Sequence, residues 1–195
     1  MDEEEPGKNG RRRARYGGRK ERKAPAPLTR ESLGELALSY AARFATTRAK
    51  LIDYLARKLR ERGWGDEGLP DIEALADKLV DHRYVDDEAY ARARAGSLLR
   101  RGYGARRIGQ ALHHAGVEER IREDVAPGEI AAREAVLAMA RKRRFGPFAP
   151  GPVERDRREK QIAALLRAGH SFGHVRTLMD AKDEDAAELW ARCED

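Results

Sequence analysis

Apolar residues recur at helical spacing through most of the chain. The first clear example is Leu51, Leu55 and Leu59, which stand at i, i+4 and i+8, while charged residues occupy the opposite face. Thr47 precedes this run as a suitable N-cap, and Gly63 follows its last turn, where a left-handed C-cap favours glycine. The pattern predicts an amphipathic helix between these two residues.

The same unit recurs twice along the chain. Leu59 and Gly63 are followed 53 residues later by Leu112 and Gly116, and after another 53 residues by a further leucine and glycine four positions apart. Another helix is predicted before each of these central helices, and a short apolar pattern follows each glycine. The count is three helices, three times, which indicates internal repeats. The helices predicted before the central ones span about 32–44, 87–101 and 128–145.

A three-helix unit of about fifty residues has a small core, so we expect neighbouring units to stack in a line. Strand-like alternation of apolar and polar residues is absent. The sequence therefore predicts an all-α fold, an elongated and curved array of three tandem three-helix repeats. The predicted boundaries are a disordered basic N-terminal tail over 1–31 and repeats over 32–83, 84–127 and 128–195.

The N-terminal segment is strongly basic. Between Pro6 and Pro27 it contains nine Lys or Arg, one Glu and almost no aliphatic residue, so it cannot bury enough surface to offset the entropy of ordering. Two interpretations stay open, a solubilising extension and a nonspecific phosphate-binding arm. The whole chain has 195 residues and a formal net charge of +6, an excess that attracts polyanions only if it is clustered.

Cysteine usage and hydropathy predict a cytoplasmic protein. Cys193 is the single cysteine of the sequence, so no disulfide within the chain is possible. No apolar run reaches the ~18 residues of a membrane span, and the N-terminus lacks the apolar region of a secretion signal.

The stretch 82–112 concentrates charge at a predicted helix start. Asp86 suits an N-cap, Asp87 and Glu88 then fall in the first turn, and Val85 and Tyr90 stand where a hydrophobic staple would form. Catalysis by a carboxylate pair would instead need a raised pKa across a pocket. The arrangement favours capping over catalysis, and no catalytic residue is predicted.

The helix predicted near Gly104 has a basic face. Ile108 and Leu112 lie on one side of it, whereas Arg106 and Arg107 lie on the other with glutamine and histidines and without any acidic residue. A solvated helix face usually mixes both signs of charge, so this face favours binding of phosphate or carboxylate over simple solvation.

Cofactor and metal motifs are weak. The letters GYGARR at 102–107 begin like a dinucleotide-binding loop, but an arginine replaces the third glycine and no strand precedes it. His170 and His174 have the i, i+4 spacing of metal ligands, yet Ser171 between them suits an N-cap and no acidic residue separates them. We predict no cofactor and no metal site.

The order of these motifs resembles the RecX family of bacterial regulatory proteins. The similar part spans about residues 40–180. It includes TTRAKLIDYLARKL upstream, YVDDEAYARARAGSLLRRGYGARRIGQALHHAGV in the middle, and ARKRRFGP and EKQIAALLRAGHSFGHV downstream. The most specific parts are YVDD at 84–87, RGYG at 101–104 and the Ile108, Leu112, Gly116 frame. Family members commonly have glycine at the position of Arg83.

The resemblance implies a non-enzymatic regulator of the recombinase RecA. Family members are built from three tandem three-helix repeats and bind along the groove of the RecA–single-stranded-DNA filament. They inhibit its recombinase, ATPase and coprotease activities and so modulate DNA repair, recombination and the SOS response. The implied partners of this chain, as a monomer, are the RecA filament and DNA, single-stranded and also double-stranded. The candidate contact residues are Arg92, Arg94, Arg100, Arg101, Arg106, Arg107, Arg141, Lys142, Arg143 and Arg144.

Two other hypotheses stay open. A helical DNA-binding protein could act on DNA without RecA, reading bases with Arg106, Arg107 and Gln110. A helical scaffold for another protein would show no dependence on nucleic acid. For the RecA regulator we expect reversal of Arg106 and Arg107 to glutamate to weaken filament binding without changing the melting temperature, and Asp86→Ala to cost about 0.5–2 kcal/mol of stability.

Overall fold

The computed structural model describes residues 26–193, which are mostly helical and contain no strand. The predicted all-α class is therefore confirmed, while most of the predicted tail lies outside the described residues. A short 3-10 helix spans Gly146–Phe148. The α-helices are α1 (Arg30–Arg43), α2 (Arg48–Arg62), α3 (Ile72–Asp81), α4 (Asp87–Arg100), α5 (Ala105–His113), α6 (Glu119–Asp124), α7 (Glu129–Arg143), α8 (Arg155–Arg167), α9 (Phe172–Asp180) and α10 (Glu184–Arg192).

Three separate apolar cores divide these helices into three units. The first core joins α1–α3, the second joins α4–α6, and the third joins α7–α10. Tyr103 packs against both the second and the third core. Within residues 26–193, the hydrogen bonds between units link only neighbouring units, as a stack of helical repeats requires.

The third unit has a fourth helix that the sequence pattern did not indicate. Helix α10 packs along α7, and Asp183 caps its start by accepting a hydrogen bond from the Ala186 N–H (2.8 Å). Helix α10 covers a side of α7 that would otherwise face water, and seven of the fifteen residues of α7 are buried. The sequence spacing predicts one apolar stripe on this helix, formed by Ala131, Ala135, Ala138 and Met139. Ala135 and Met139 are buried, whereas Ala138 is exposed.

The first unit begins before residue 32, the start predicted for the first repeat. Leu28 is fully buried; its N–H donates to the Gly63 carbonyl and its carbonyl accepts from the Gly65 N–H, both at 2.9 Å. The chain thus pairs with the loop after α2 before α1 starts at Arg30. Residues 28–31, assigned to the tail from their sequence, lie in the first unit because of this long-range contact.

Three predicted N-caps are confirmed. The side chains of Thr47, Asp86 and Ser171 accept hydrogen bonds from the N–H groups three residues later, at 3.2, 2.8 and 3.1 Å. Arg83 adopts φ 59°, the left-handed conformation that favours glycine. Glycine is the residue commonly found at this position in the family that the sequence resembles. Gly63 follows the last residue of α2 as predicted and has a positive φ of 77°, but its ψ of 173° is not that of the left-handed helical C-cap.

The central helices of the second and third units meet end to end at what we call the α8–α5 joint. The Gly104 N–H donates to the Ala168 carbonyl (3.0 Å), and the Arg106 N–H donates to the Gly169 carbonyl (3.2 Å). The carbonyls at the end of α8 thereby satisfy N–H groups at the start of α5, which has no side-chain cap. A Cβ on either glycine would collide with the backbone of the other helix.

The central helices of the first and second units also meet end to end, at the α5–α2 joint. Here the Thr47 hydroxyl donates to the Ala115 carbonyl (2.5 Å), and Gly116 approaches the Ala49 side chain so closely that a Cβ would collide with it. The Arg48 N–H donates to the Asp87 carboxylate (2.8 Å). Two of the three glycines repeated every 53 residues, Gly116 and Gly169, thus end helices that abut the preceding unit.

Candidate basic partner interface

The ten predicted contact residues are all exposed, and they lie on α4, on α5 and at the end of α7. We call these ten side chains the basic surface. Only two of them form an ion pair with another described residue: Arg92 with Glu88 (3.3 Å) and Arg141 with Glu188. Eight guanidinium or ammonium groups are therefore not neutralised by a carboxylate within residues 26–193.

Three arginines of the basic surface, Arg92, Arg94 and Arg100, lie on α4, and Arg101 follows its last residue. Arg94 and Arg100 make no hydrogen bond or ion pair through their side chains to another described residue, and the Arg101 guanidinium lies over the Tyr103 ring, 5.3 Å from its centroid. Tyr103 is held by two cores, so this aromatic contact fixes the position of a cation at the boundary between the second and third units.

The two arginines of α5 differ in their surroundings. The Arg107 side chain is exposed and makes no hydrogen bond or ion pair within the described residues. In contrast, Arg106 Nη2 donates to the Leu166 carbonyl of α8 (2.8 Å). Arg106 therefore helps to hold the α8–α5 joint, and its reversal to glutamate is no longer expected to leave the melting temperature unchanged.

The cluster at the end of α7 is partly held by aromatic rings. The Arg141 guanidinium lies 5.1 Å from the Phe148 ring centroid, and that of Arg143 lies 5.9 Å from the Phe145 ring centroid. Lys142 and Arg144 make no side-chain hydrogen bond or ion pair to the described residues, and Arg144 has φ 56°. Such contacts direct cations outward while leaving their N–H groups able to bind phosphate.

The second unit packs closely on the third at Gly102. Gly102 packs on α7, where a Cβ would lie 3.1 Å from the Met139 Cβ. Arg167, in the last turn of α8, is exposed beside the α8–α5 joint and was not among the predicted residues. Its position two residues before the repeated Gly169 is the sequence signal that could have indicated it.

The α5–α2 joint has a mixed charge character. Beside it lies a groove of about 540 Å³ that is lined by five acidic residues, among them Asp87, and by three arginines, Arg48, Arg83 and Arg92. Burial raises the pKa of the Asp87 carboxyl in this groove. The hydrogen bond from the Arg48 N–H opposes that change, and the nearby Glu118 and Asp86 add to it. Asp87, expected only to complement the helix dipole, thus also bonds across a joint.

The two histidines considered as metal ligands make separate contacts. His170 is buried and its Nε2–H donates to the Gly102 carbonyl (3.0 Å); burial lowers the pKa of this imidazole. His174 Nε2 instead meets the Glu129 carboxylate (2.7 Å), and that hydrogen bond lowers the pKa of Glu129. In the described part of the chain, no three His, Cys, Asp or Glu side chains are grouped to hold a metal ion.

Gly102 and Gly104, which begin like a dinucleotide-binding loop, instead let the second unit pack on the third. No helix among residues 26–193 is both long and apolar enough to cross a membrane.

The fold and the basic surface define the class of this protein: an all-α array of helical repeats with clustered cations on its outside. A family model described as "RecX, second three-helix domain" matches residues 86–125. Regulatory protein RecX of Myxococcus xanthus is 37% identical over 171 residues, which cover 82% of this chain and 90% of that protein. The chain belongs to the RecX family of regulatory proteins.

Other comparisons agree. Regulatory protein RecX of Agrobacterium fabrum is 32% identical, covering 73% of this chain and 79% of that protein. The crystal structure of RecX from Lactobacillus salivarius matches with a TM-score of 0.61 at 23% identity, covering 75% of this chain and 92% of that one. This structural likeness confirms the predicted helical-repeat fold, and the family recognised from the sequence motifs is confirmed by the sequence relatives.

Proposed function

We propose that this protein binds the RecA–single-stranded-DNA filament and inhibits its recombinase, ATPase and coprotease activities, thereby modulating DNA repair and the SOS response. The observation on which this rests is the 37% identity to a regulatory protein RecX over 82% of the chain. The protein acts by binding rather than by catalysis, as a monomer in the cytoplasm.

The charge distribution supports a partner that contains phosphate. Eight cations of the basic surface are not neutralised by a described carboxylate, and they gather on the second and third units. A nucleic-acid backbone binds such groups by releasing its condensed counterions, which makes the interaction strongly dependent on salt. The proposed contact residues are Arg92, Arg94, Arg100, Arg101, Arg106, Arg107, Arg141, Lys142, Arg143 and Arg144.

The arrangement of the units supports a filament as the partner. Helical repeats that contact only their neighbours form extended surfaces suited to long partners. The end-to-end contacts of α8, α5 and α2 place the three units in series, so that adjacent units can follow one groove.

The test is the addition of purified protein to preformed RecA filaments on single-stranded DNA. ATP hydrolysis and filament length are followed together, the second by electron microscopy. We expect both to fall as the protein is added. Unchanged hydrolysis and length at one protein per RecA monomer would contradict the proposal.

A second candidate is a DNA-binding protein that acts without RecA. It is favoured by the exposed Arg107 and Gln110 on α5, whose side chains suit the edges of guanine and adenine. Arg106, the third residue of that set, is already bonded to Leu166. Sequence-dependent binding to duplex DNA in the absence of RecA would support this candidate, and equal affinity for unrelated sequences would count against it.

A further inference from the structure

Three aromatic rings form a ladder on the first unit, where α1 and α2 lie side by side. The rings of Tyr54 and Tyr40 are stacked, with centroids 4.1 Å apart and planes 10° from parallel. Phe44 continues the row, with its centroid 5.3 Å from that of Tyr40 and a tilt of 48°. We call Tyr54, Tyr40 and Phe44 the aromatic ladder.

The ladder is fixed at one end and open at the other. Tyr40 and Tyr54 pack against the first apolar core, so their rings are held in place. Phe44 follows the last residue of α1, is 56% exposed and is not among the side chains that pack on that core. Packing of the first unit therefore does not explain why a large apolar ring stands at this position.

Cations accompany the ladder on both helices. The Arg57 guanidinium lies 5.6 Å from the Tyr54 ring centroid, and Lys58 Nζ lies 5.9 Å from it. Both cations are also paired with the Glu61 carboxylate, at 3.8 and 2.6 Å. Arg43 precedes Phe44, is exposed, and makes no side-chain hydrogen bond or ion pair within the described residues. The segments YAARF at 40–44 and YLARK at 54–58 thus place an arginine three residues after each tyrosine, on the same helix face.

We infer that the aromatic ladder is a stacking site for an unpaired base of single-stranded nucleic acid. The base extends the row beyond Phe44, and Arg43, the residue before Phe44, is the exposed cation nearest in sequence to this end of the row and would neutralise a flanking phosphate. Stacking on aromatic rings tolerates every base, because each base has a π face, and it is unavailable to bases paired inside a duplex. A purely apolar protein partner would not use the cations on either side of the rings.

This inference deepens the proposed function, because it assigns the single strand of the filament to the first unit. It rests on residues separate from the basic surface of the second and third units. The test therefore uses DNA without RecA. If the stacking site is refuted, the proposed inhibition of RecA is unaffected, and if inhibition of RecA is refuted, the stacking site is unaffected.

The experiment measures fluorescence anisotropy of two labelled 25-nucleotide strands at low salt. One is oligothymidylate and the other has the same phosphates but abasic sugars. Phe44→Ala is expected to weaken binding of oligothymidylate by about 5- to 150-fold, the range expected when one stacking ring is removed. The same variant is expected to bind the abasic strand as the unchanged protein does.

Phe172→Ala is the matched control, since Phe172 is a 63% exposed phenylalanine on the third unit. Phe172→Ala should change the affinity for oligothymidylate and for the abasic strand by no more than about twofold. Phe44→Trp keeps an aromatic ring at this position and should therefore retain oligothymidylate binding. Circular dichroism melting verifies that each variant is folded; if Phe44→Ala does not fold, Phe44→Leu replaces it, with the same expectation.

Three results would overturn the inference. The first is that Phe44→Ala and the unchanged protein bind oligothymidylate with equal affinity. The second is that Phe44→Ala loses as much affinity for the abasic strand as for oligothymidylate. The third is that the unchanged protein binds the two strands with equal affinity. A Phe44→Ala protein with normal DNA binding but weaker attachment to RecA filaments would assign the ladder to a protein partner instead.

Discussion

The two joints between the units are built from different parts of the chain. At the α8–α5 joint, backbone meets backbone, since the N–H groups of Gly104 and Arg106 donate directly to carbonyls of the third unit. At the α5–α2 joint, the bonds across the boundary run through side chains, those of Thr47, Lys50 and Asp87. An open groove of about 540 Å³ lies beside this second joint.

This difference separates a rigid boundary from an adjustable one. Helix α4 also packs on α7, so the second and third units share a broad contact in addition to their backbone bonds. Side-chain bonds can rearrange by rotamer changes, whereas two backbones in contact cannot separate without losing several bonds together. We therefore expect the second and third units to move as one body, with the first unit adjusting relative to them.

The largest expected effect is at Gly104. Gly104→Ala places a Cβ against the Gly169 backbone and should lower the free energy of unfolding by about 1–3 kcal/mol, since neither helix end can shift freely. Urea denaturation followed by circular dichroism measures it. Gly109→Ala in the same helix, where the added Cβ meets open space, is the control and should be neutral or stabilising by up to about 1 kcal/mol. Equal stability of the two variants would refute the close joint.

A smaller effect is expected at Thr47 in the α5–α2 joint. Thr47→Val keeps the shape of the side chain but removes the cap on α2 and the donor to the Ala115 carbonyl, at a cost of about 1–2 kcal/mol. Thermal melting of this variant is compared with Thr177→Val, an exposed threonine on α9. A melting temperature equal to that of the control would show that this joint does not contribute to stability.

Arg106 and Arg107 test which arginine belongs to the rigid joint. Arg106→Ala should lower stability by about 0.5–1.5 kcal/mol because it removes the hydrogen bond to Leu166. Arg107→Ala should leave stability within about 0.5 kcal/mol of the unchanged protein. The reverse order of the two effects in chemical denaturation would mean that the bond across the α8–α5 joint is not formed in solution.

The smallest effect concerns pH at the α5–α2 joint. Because burial raises the folded-state pKa of Asp87 above 3.8, protonation of this group favours the folded state, and its stabilising contribution is lost as pH rises through the folded pKa. Asp87→Asn keeps an acceptor for the Arg48 N–H without the charge. The melting temperature of the variant minus that of the unchanged protein should therefore increase from pH 4 to pH 7. A difference that is constant over this range would contradict the raised pKa.

Local features of the structure were predictable from the sequence. The caps formed by Asp86 and Ser171 act within three residues, so the residue types nearly determine them. The leucine and glycine four residues apart that recur every 53 residues identified the central helices, because each pair marks a helix end locally. The family motifs then supplied the function class, because they combine several such local features in one order.

Contacts between distant residues were not predictable in the same way. Arg106 lies on the polar face of α5, and nothing in that face indicates a bond to Leu166, sixty residues away. Helix α10 has its own cap, but the periodicity of three units gave no reason to expect a fourth helix on α7. The aromatic ladder could not be predicted from the sequence, because it depends on the contact between α1 and α2 that brings Tyr40 and Tyr54 together.

We propose that cations of the basic surface attach this protein to the RecA filament. The most direct measurement is inhibition of ATP hydrolysis by RecA filaments with Arg100→Glu and Arg107→Glu combined. The control is Arg155→Glu combined with Arg176→Glu, two exposed arginines outside the basic surface. The claim predicts that the first variant inhibits at least about tenfold more weakly than the control while melting normally. Equal inhibition by the two variants would contradict it.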